Sequence, residues 1–143
     1  MNNHQEQKQL ILGFIRRHYL AYLATSSLDG KPENAVVEFT ETDNLELIFD
    51  AFPNFRKCKN IKENPRVAVV IGGEENITIQ YEGEAQELEG EELEKVRTMH
   101  LSKHPQLAEI IKSKGLKFYK VIPKWIRYLD VNSHPWKTFE VIF

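Results

Sequence analysis

Apolar residues recur at two different spacings along this chain, and the changes of spacing divide it into elements. Over residues 6–18, Leu10, Ile11, Phe14 and Ile15 fall three and four apart, which puts them on one face of a helix. Gly13 within that stretch costs roughly 1 kcal/mol relative to alanine, so the helix is expected to lean on a sheet. From residue 19 the period shortens. Residues 19–27 and 34–40 read as strands, and Asp29-Gly30 between them offers the positive φ angles of a tight hairpin. Glu41-Thr42-Asp43-Asn44 predicts a second turn, after which Leu45, Leu47 and Phe49 alternate with Glu46, Ile48 and Asp50 in a third strand.

Pro53 suits the first turn of a helix, because the N–H it lacks has no partner there. The pattern carries that helix to about residue 63, with Phe55, Cys58 and Ile61 on one side, and Asn64-Pro65 ends it. Residues 66–71 form a short, nearly all-apolar strand of the buried kind, and Gly72-Gly73 turns the chain. Ile77, Ile79 and Tyr81 then alternate with Thr78, Gln80 and Glu82 in a strand that continues past Gly83 to about residue 88. A helix follows, with Glu91 and Glu92 at its positive end and Leu93, Val96 and Leu101 on one face. His104-Pro105 breaks it, and Leu107, Ile110 and Ile111 carry a second short helix closed by Gly115. Strands are expected at 116–122 and 125–131, on either side of Pro123, and at 138–143. About eight strands and four helices without regular βαβ alternation predict a mainly β fold, an antiparallel barrel with peripheral helices. No repeat or linker interrupts residues 1–143, which read as one domain.

Composition narrows the classes of function. The 143 residues suffice for one core, and 41% apolar with 28% charged residues excludes a disordered chain. Lys and Arg number 19 against 21 Asp and Glu, so no global basic field exists to hold nucleic acid, although a local patch can still bind one phosphate. The single cysteine, Cys58, excludes an internal disulfide and a Cys-rich zinc site, and reads as a small buried hydrophobe. No apolar run approaches the roughly 20 residues of a membrane span, and the polar start MNNHQEQKQ is not a signal peptide. A cytoplasmic protein with no membrane partner is expected.

The most informative segment is Pro53-Asn54-Phe55-Arg56-Lys57-Cys58-Lys59-Asn60-Ile61. Arg56 and Lys57 fall in the first turn of a helix, the wrong end for cations. A bound anion reverses that argument, since helix-start amides with a guanidinium and an ammonium make a phosphate cradle. A solvated basic face continuing through Lys59 and Lys62 is the competing reading. Gly-rich nucleotide loops are absent, and Glu74 and Glu75 beside Gly72-Gly73 would repel phosphate. His100 and His104 have metal-ligand spacing, but no carboxylate or cysteine pattern completes a site, so no metal is expected. No nucleophile paired with a base emerges, and the catalytic residues stay unassigned.

The run Phe49-Asp50-Ala51 through Phe55-Arg56-Lys57, Asn60-Ile61 and Asn64-Pro65-Arg66-Val67-Ala68 resembles the central block of the pyridoxamine 5′-phosphate oxidase-related proteins, the FMN-binding split-barrel superfamily. Leu23-Ala24-Thr25 with Asp29-Gly30-Lys31-Pro32 is similar to the opening hairpin of that family, Gln80-Tyr81-Glu82-Gly83-Glu84-Ala85 to its long fifth strand, and residues 118–128 to its late hairpin. The matches run in order over most of residues 19–130. The resemblance implies a six-stranded antiparallel split β-barrel and a homodimer with two FMN sites at the subunit interface. It implies that Arg56 and Lys57 hold the ribityl phosphate, that Asn34 lies where a further phosphate ligand is common, that Asp50 and Ala51 run along the flavin, and that Thr78 or Gln80 reaches the ring edge.

Two departures bear on the phosphate: Phe55 stands where a small hydroxyl residue is usual, and Asn34 where an arginine is common. Each charge-assisted bond lost to a phosphate is worth roughly 1.5–3 kcal/mol. Leu129 stands where the true oxidase has a flavin-contacting tryptophan, and Ser133-His134-Pro135-Trp136-Lys137 lacks the Arg-x-His pair that grips pyridoxal phosphate. The expectation is therefore an FMN-binding oxidoreductase of the general-stress or flavin-reductase-like subset, acting on a small acceptor and not on pyridoxamine phosphate. Two alternatives remain: a haem- or deazaflavin-binding split barrel, with His134 or His100 as iron ligand, and a cofactor-free dimeric interaction module.

Overall fold

The alternating stretches become one antiparallel sheet that curls on itself. A computed structural model describes residues 3–143 as α1 (Asn3–Arg16), β1 (Leu20–Ser26), β2 (Pro32–Glu38), β3 (Thr40–Glu41), β4 (Leu47–Ala51), α2 (Arg56–Glu63), β5 (Arg66–Gly72), β6 (Ile77–Glu87), α3 (Gly90–Lys103), a 3-10 turn (Pro105–Leu107), α4 (Ala108–Ile111), β7 (Lys117–Asp130) and β8 (Lys137–Ile142). Strand order is β2-β1-β5-β6-β7-β4-β3, with β8 paired to β7 beyond the end of β4. β2 meets β4 across the curl, so the sheet is a split barrel with peripheral helices. The six strands implied by the resemblance become eight because β3 is a two-residue pairing and β8 extends the sheet along β7.

Alternate side chains of every long strand fill the barrel: Leu23, Val69, Ile71, Ile79, Tyr81, Val121 and Ile126 are all buried. α1 covers this core with Ile11, Leu12, Phe14 and Ile15, which is how a helix weakened by Gly13 is held. Phe14 lies so close to the β5–β6 turn that a Cβ on Gly72, at φ +92, would sit 2.6 Å from its ring and 2.7 Å from the Ile77 carbonyl oxygen. A second cluster lies outside the barrel. Ile48 and Phe118, from β4 and β7, pack with Val96, Leu107, Ile111 and Leu116 of the helical excursion. β4 is thus buried on both faces, and Ile48 is interior although it falls in the polar phase of the alternation.

Three departures from the sequence expectations lie in and beside the sheet. Leu45 has φ 65 and belongs to the turn closed by the Thr42 amide on Glu46, with its side chain buried. β5 is not enclosed on both sides: Arg66, Ala68 and Val70 face outward while Val67, Val69 and Ile71 face the core. The two strands expected around Pro123 are one 14-residue strand, β7. Gly83 opposes Pro123 and Glu82 opposes Trp125, leaving Lys124 as the extra residue of a bulge beside the proline. A Cβ on Gly83 would run into the Ile122 carbonyl oxygen, so the bulge needs glycine on the facing strand.

Polar side chains at the end of α3 pin it to β3 and β4. The His100 ring is fully buried, with Nε2 2.9 Å from Asp50 Oδ2 and Nδ1 2.8 Å from Thr40 Oγ1. A neutral imidazole protonated on Nε2 satisfies both neighbours, donating to the carboxylate and accepting from the hydroxyl. His104 Nε2 donates to the Phe39 carbonyl oxygen at 2.6 Å, and its Nδ1 is buried with no partner among the described residues. Lys103 reaches Glu41 on β3.

Two outcomes follow. Gly72→Ala is expected to destabilise the fold by about 2 kcal/mol or more, through overpacking against Phe14 and a strained positive φ; urea unfolding with an unchanged midpoint would contradict this. Burial holds the His104 imidazole below its ordinary 6.5, only partly offset by the Phe39 carbonyl. Below that pH the unfolded chain gains a proton that the folded chain refuses, so stability falls as pH drops from about 6.5 until the folded imidazole itself titrates. His104→Gln should flatten the dependence of melting temperature on pH between about 7 and 5.5; an identical slope would refute the assignment.

Candidate functional site

The segment before α2 folds as a turn, with the Phe55 amide on the Phe52 carbonyl at 3.0 Å. Pro53 therefore lies in that turn and the helix begins at Arg56, three residues later than its pattern suggests. Phe55, extended at φ −72 and ψ 142, holds the N-cap position without a side-chain hydrogen bond. Helix geometry leaves the Arg56 and Lys57 amides without intrahelical acceptors, whereas the Cys58 amide turns back to the Phe55 carbonyl. The inner side of α2 is fixed by Cys58 and Ile61 in the core and by buried Asn60, whose amide donates to Thr25 Oγ1 on β1 at 3.0 Å. This clamp fixes where Arg56 and Lys57 stand.

Lys57 is only 7% exposed. Its Nζ lies 4.7 Å from the centroid of the Phe55 ring, and among the described residues no carboxylate comes within 4 Å. Its Nζ is not among the partnerless side-chain atoms sealed from solvent, so the stem is buried while the ammonium reaches the surface beside the exposed Phe55 ring, without a counter-charge within 4 Å among the described residues. Arg56 behaves differently. It is exposed, and its Nε lies 3.5 Å from Glu33 Oε2 on β2. An open cavity of about 390 Å³ borders this corner, lined by Ser27, Asp29, Lys31, Arg56, Lys59 and Asn60.

The remaining sequence-derived site residues fall in three places. Asn34 pairs with Ala24 and lies on the outer face of the sheet, opposite to Glu33. Thr78 and Gln80 are on that outer face too, Gln80 between Val70 and Arg127 with its Oε1 3.5 Å from Arg127 Nη1. Ala51 is buried at the end of β4, and Asp50 beside it turns under α3 to His100. The structure thus brings Arg56 and Lys57 together, sets Asn34, Thr78 and Gln80 on one face, and separates the Asp50 carboxylate from both groups by engaging it with a histidine.

Glu33 was missed by the sequence reading. Counting the alternation back from buried Val37 through Ala35 puts Glu33, not Asn34, on the side of Thr25 and α2. Among the histidines, both nitrogens of His100 are hydrogen-bonded, and His104 is buried against the Phe39 carbonyl. His134 is exposed in the loop between β7 and β8. No group of three His, Cys, Asp or Glu among the described residues is placed to hold a metal ion, and no described helix is long and apolar enough to cross a membrane.

The outer face carries a row of apolar side chains at matched register. Val36 on β2 opposes Tyr22 on β1, and Tyr22 opposes Val70 on β5, which opposes Gln80 on β6. Val36, Tyr22 and Val70 are 56%, 49% and 39% exposed, and Leu20 adds a fourth exposed apolar side chain on β1.

Comparison with known proteins agrees with this architecture. The profile of the pyridoxamine 5′-phosphate oxidase family matches residues 8–130. An uncharacterised protein of Methanocaldococcus jannaschii is 33% identical over 107 residues, 71% of this chain and 68% of the relative. The structure of general stress protein 26 from Bacillus anthracis superposes with a TM-score of 0.71 at 24% identity, over 85% of this chain and 92% of that one. A haem-binding protein from Mycobacterium smegmatis superposes with a TM-score of 0.79 at 17% identity, over 99% of this chain but 59% of its own length, so the present chain spans about three fifths of it. With its split barrel, the order of its motifs and a profile match over most of its length, the chain belongs to the pyridoxamine 5′-phosphate oxidase family.

Proposed function

We propose that the chain binds FMN, with the phosphate at the start of α2, and serves as a flavin-dependent oxidoreductase toward a small acceptor. The observation that carries this reading is Lys57: a side chain buried along its stem, whose ammonium has no carboxylate partner among the described residues, at an uncapped helix start beside Arg56. A doubly charged phosphate satisfies that ammonium, the guanidinium and the helix-start amides together. FMN, when bound, supplies hydride or electron transfer through its isoalloxazine ring. The chain's own part is to seat the phosphate and to place backbone groups near Ala51 along the ring. Leu129 and the loop after β7 lack the residues expected for pyridoxamine phosphate, so that substrate is not part of the proposal.

The site is completed by a second copy. Leu20, Tyr22, Val36 and Val70 form an apolar row on a sheet face, the kind of patch that marks an interface. Thr78 and Gln80 lie on the same face, so a homodimer through it delivers them next to the partner's cofactor. A second reading, haem in place of flavin, draws on the fold shared with the haem-binding protein. The histidine left for it is His134, since His100 has no free nitrogen.

Titration of FMN into the protein, followed by flavin fluorescence and absorbance, is expected to show binding. Arg56→Ala with Lys57→Ala should weaken it by about a hundredfold or more, from two charge-assisted bonds at roughly 1.5–3 kcal/mol each, without unfolding the protein. Equal affinity in the variant would reject the site, and a Soret band developed with haemin, abolished by His134→Ala, would favour the second reading. Sedimentation is expected to give a dimer, and Val36→Lys with Val70→Lys a folded monomer with lost FMN affinity. A monomeric parent protein would contradict the shared site.

A further inference from the structure

Arg56 is one of two cations at the phosphate site, and its guanidinium already faces a carboxylate. Its Nε lies 3.5 Å from Glu33 Oε2, and the Glu33 side chain is 17% exposed. Among the described residues Arg56 is the cation with which Glu33 forms an ion pair. The Glu33 backbone is fixed by its register opposite Thr25, which is buried and hydrogen-bonded to Asn60 of α2. Neither end of the pair floats: β1 ties β2 and α2 to the same point. Lys57, the other cation, has no such partner among the described residues. The site therefore holds one engaged and one unengaged positive charge, with a negative charge built into its wall.

We propose that Glu33 determines which ligand charge this site accepts, by occupying Arg56 until a phosphate displaces it. The inference rests on the reading of α2 as the phosphate site. A dianion that seats on Lys57 must draw Arg56 away from Glu33 or tolerate a carboxylate a few ångströms away, and both reduce its affinity. A ligand with a neutral ribityl end meets neither penalty. Glu33 thus narrows the preference for FMN over riboflavin. The second phosphate ligand, common as an arginine on this strand, is here the neutral Asn34 on the opposite face, so nothing on β2 offsets the carboxylate.

The test is Glu33→Gln, compared with the parent chain for FMN, riboflavin and inorganic phosphate by calorimetric titration, with circular dichroism as the check on folding. The expected result is FMN bound about tenfold more tightly, the change that 1.4 kcal/mol makes, phosphate tightened in parallel, and riboflavin unchanged. If FMN binds both proteins equally, or if FMN and riboflavin shift by the same factor, Glu33 does not select charge and the inference fails while the phosphate site stands. If neither FMN nor phosphate binds either protein, the phosphate site itself is wrong, and the inference falls with it. Should Glu33→Gln unfold the sheet edge, Glu33→Asp provides the folded comparison: the shorter side chain withdraws from Arg56, and FMN must again tighten relative to riboflavin for the inference to hold.

Discussion

Lys57 is held with its stem buried and its ammonium beside the ring of Phe55, without a carboxylate within 4 Å among the described residues. The proposed function rests on that unpaired charge. It is created by the fold, because α2 cannot turn Lys57 outward without withdrawing Cys58 and Ile61 from the core and Asn60 from Thr25. Phe55 contributes an aromatic surface beside that ammonium, in edge contact with Phe52. A cation–π contact is worth roughly 0.5–2 kcal/mol, enough to orient an ammonium. Under the proposed function a phosphate supplies the missing counter-charge.

The same sheet serves two purposes through its two faces. The inner face is closed by α1 and the strand interiors, with Gly72 allowing Phe14 to approach and Gly83 allowing Pro123 into a continuous strand. The outer face stays open along Val36, Tyr22 and Val70, and these run in register to Gln80. α3 covers the far side of β4, where His100 takes up the Asp50 carboxylate. The proposed dimer and cofactor site use the open face and the α2 corner.

What was legible in the sequence was local. Alternation over a few residues marked β1, β4 and β6, and Asp29-Gly30 the hairpin, with Gly30 at φ 88. The Arg56-Lys57 pair stood out because cations at a helix start conflict with its dipole. What escaped depends on residues far apart in the chain. Glu33 meets Arg56 only because β2 folds back along β1 beside α2, and Asp50 meets His100 across 50 residues. The bulge that reconciles Pro123 with a strand is set by Gly83 on a different strand, so Pro123 alone reads as a break. The apolar run of β5 suggested burial on both sides, and its outer residues are open in the single chain. Under the proposed dimer, that pattern records a contact between copies.

The most direct test of the account is a crystal structure of the chain grown with FMN. The account predicts the phosphate at the start of α2, with oxygens within hydrogen-bonding distance of Lys57 Nζ and the Arg56 guanidinium, and Arg56 drawn off Glu33. Flavin bound with its phosphate elsewhere, and the Arg56–Glu33 pair intact, would contradict it.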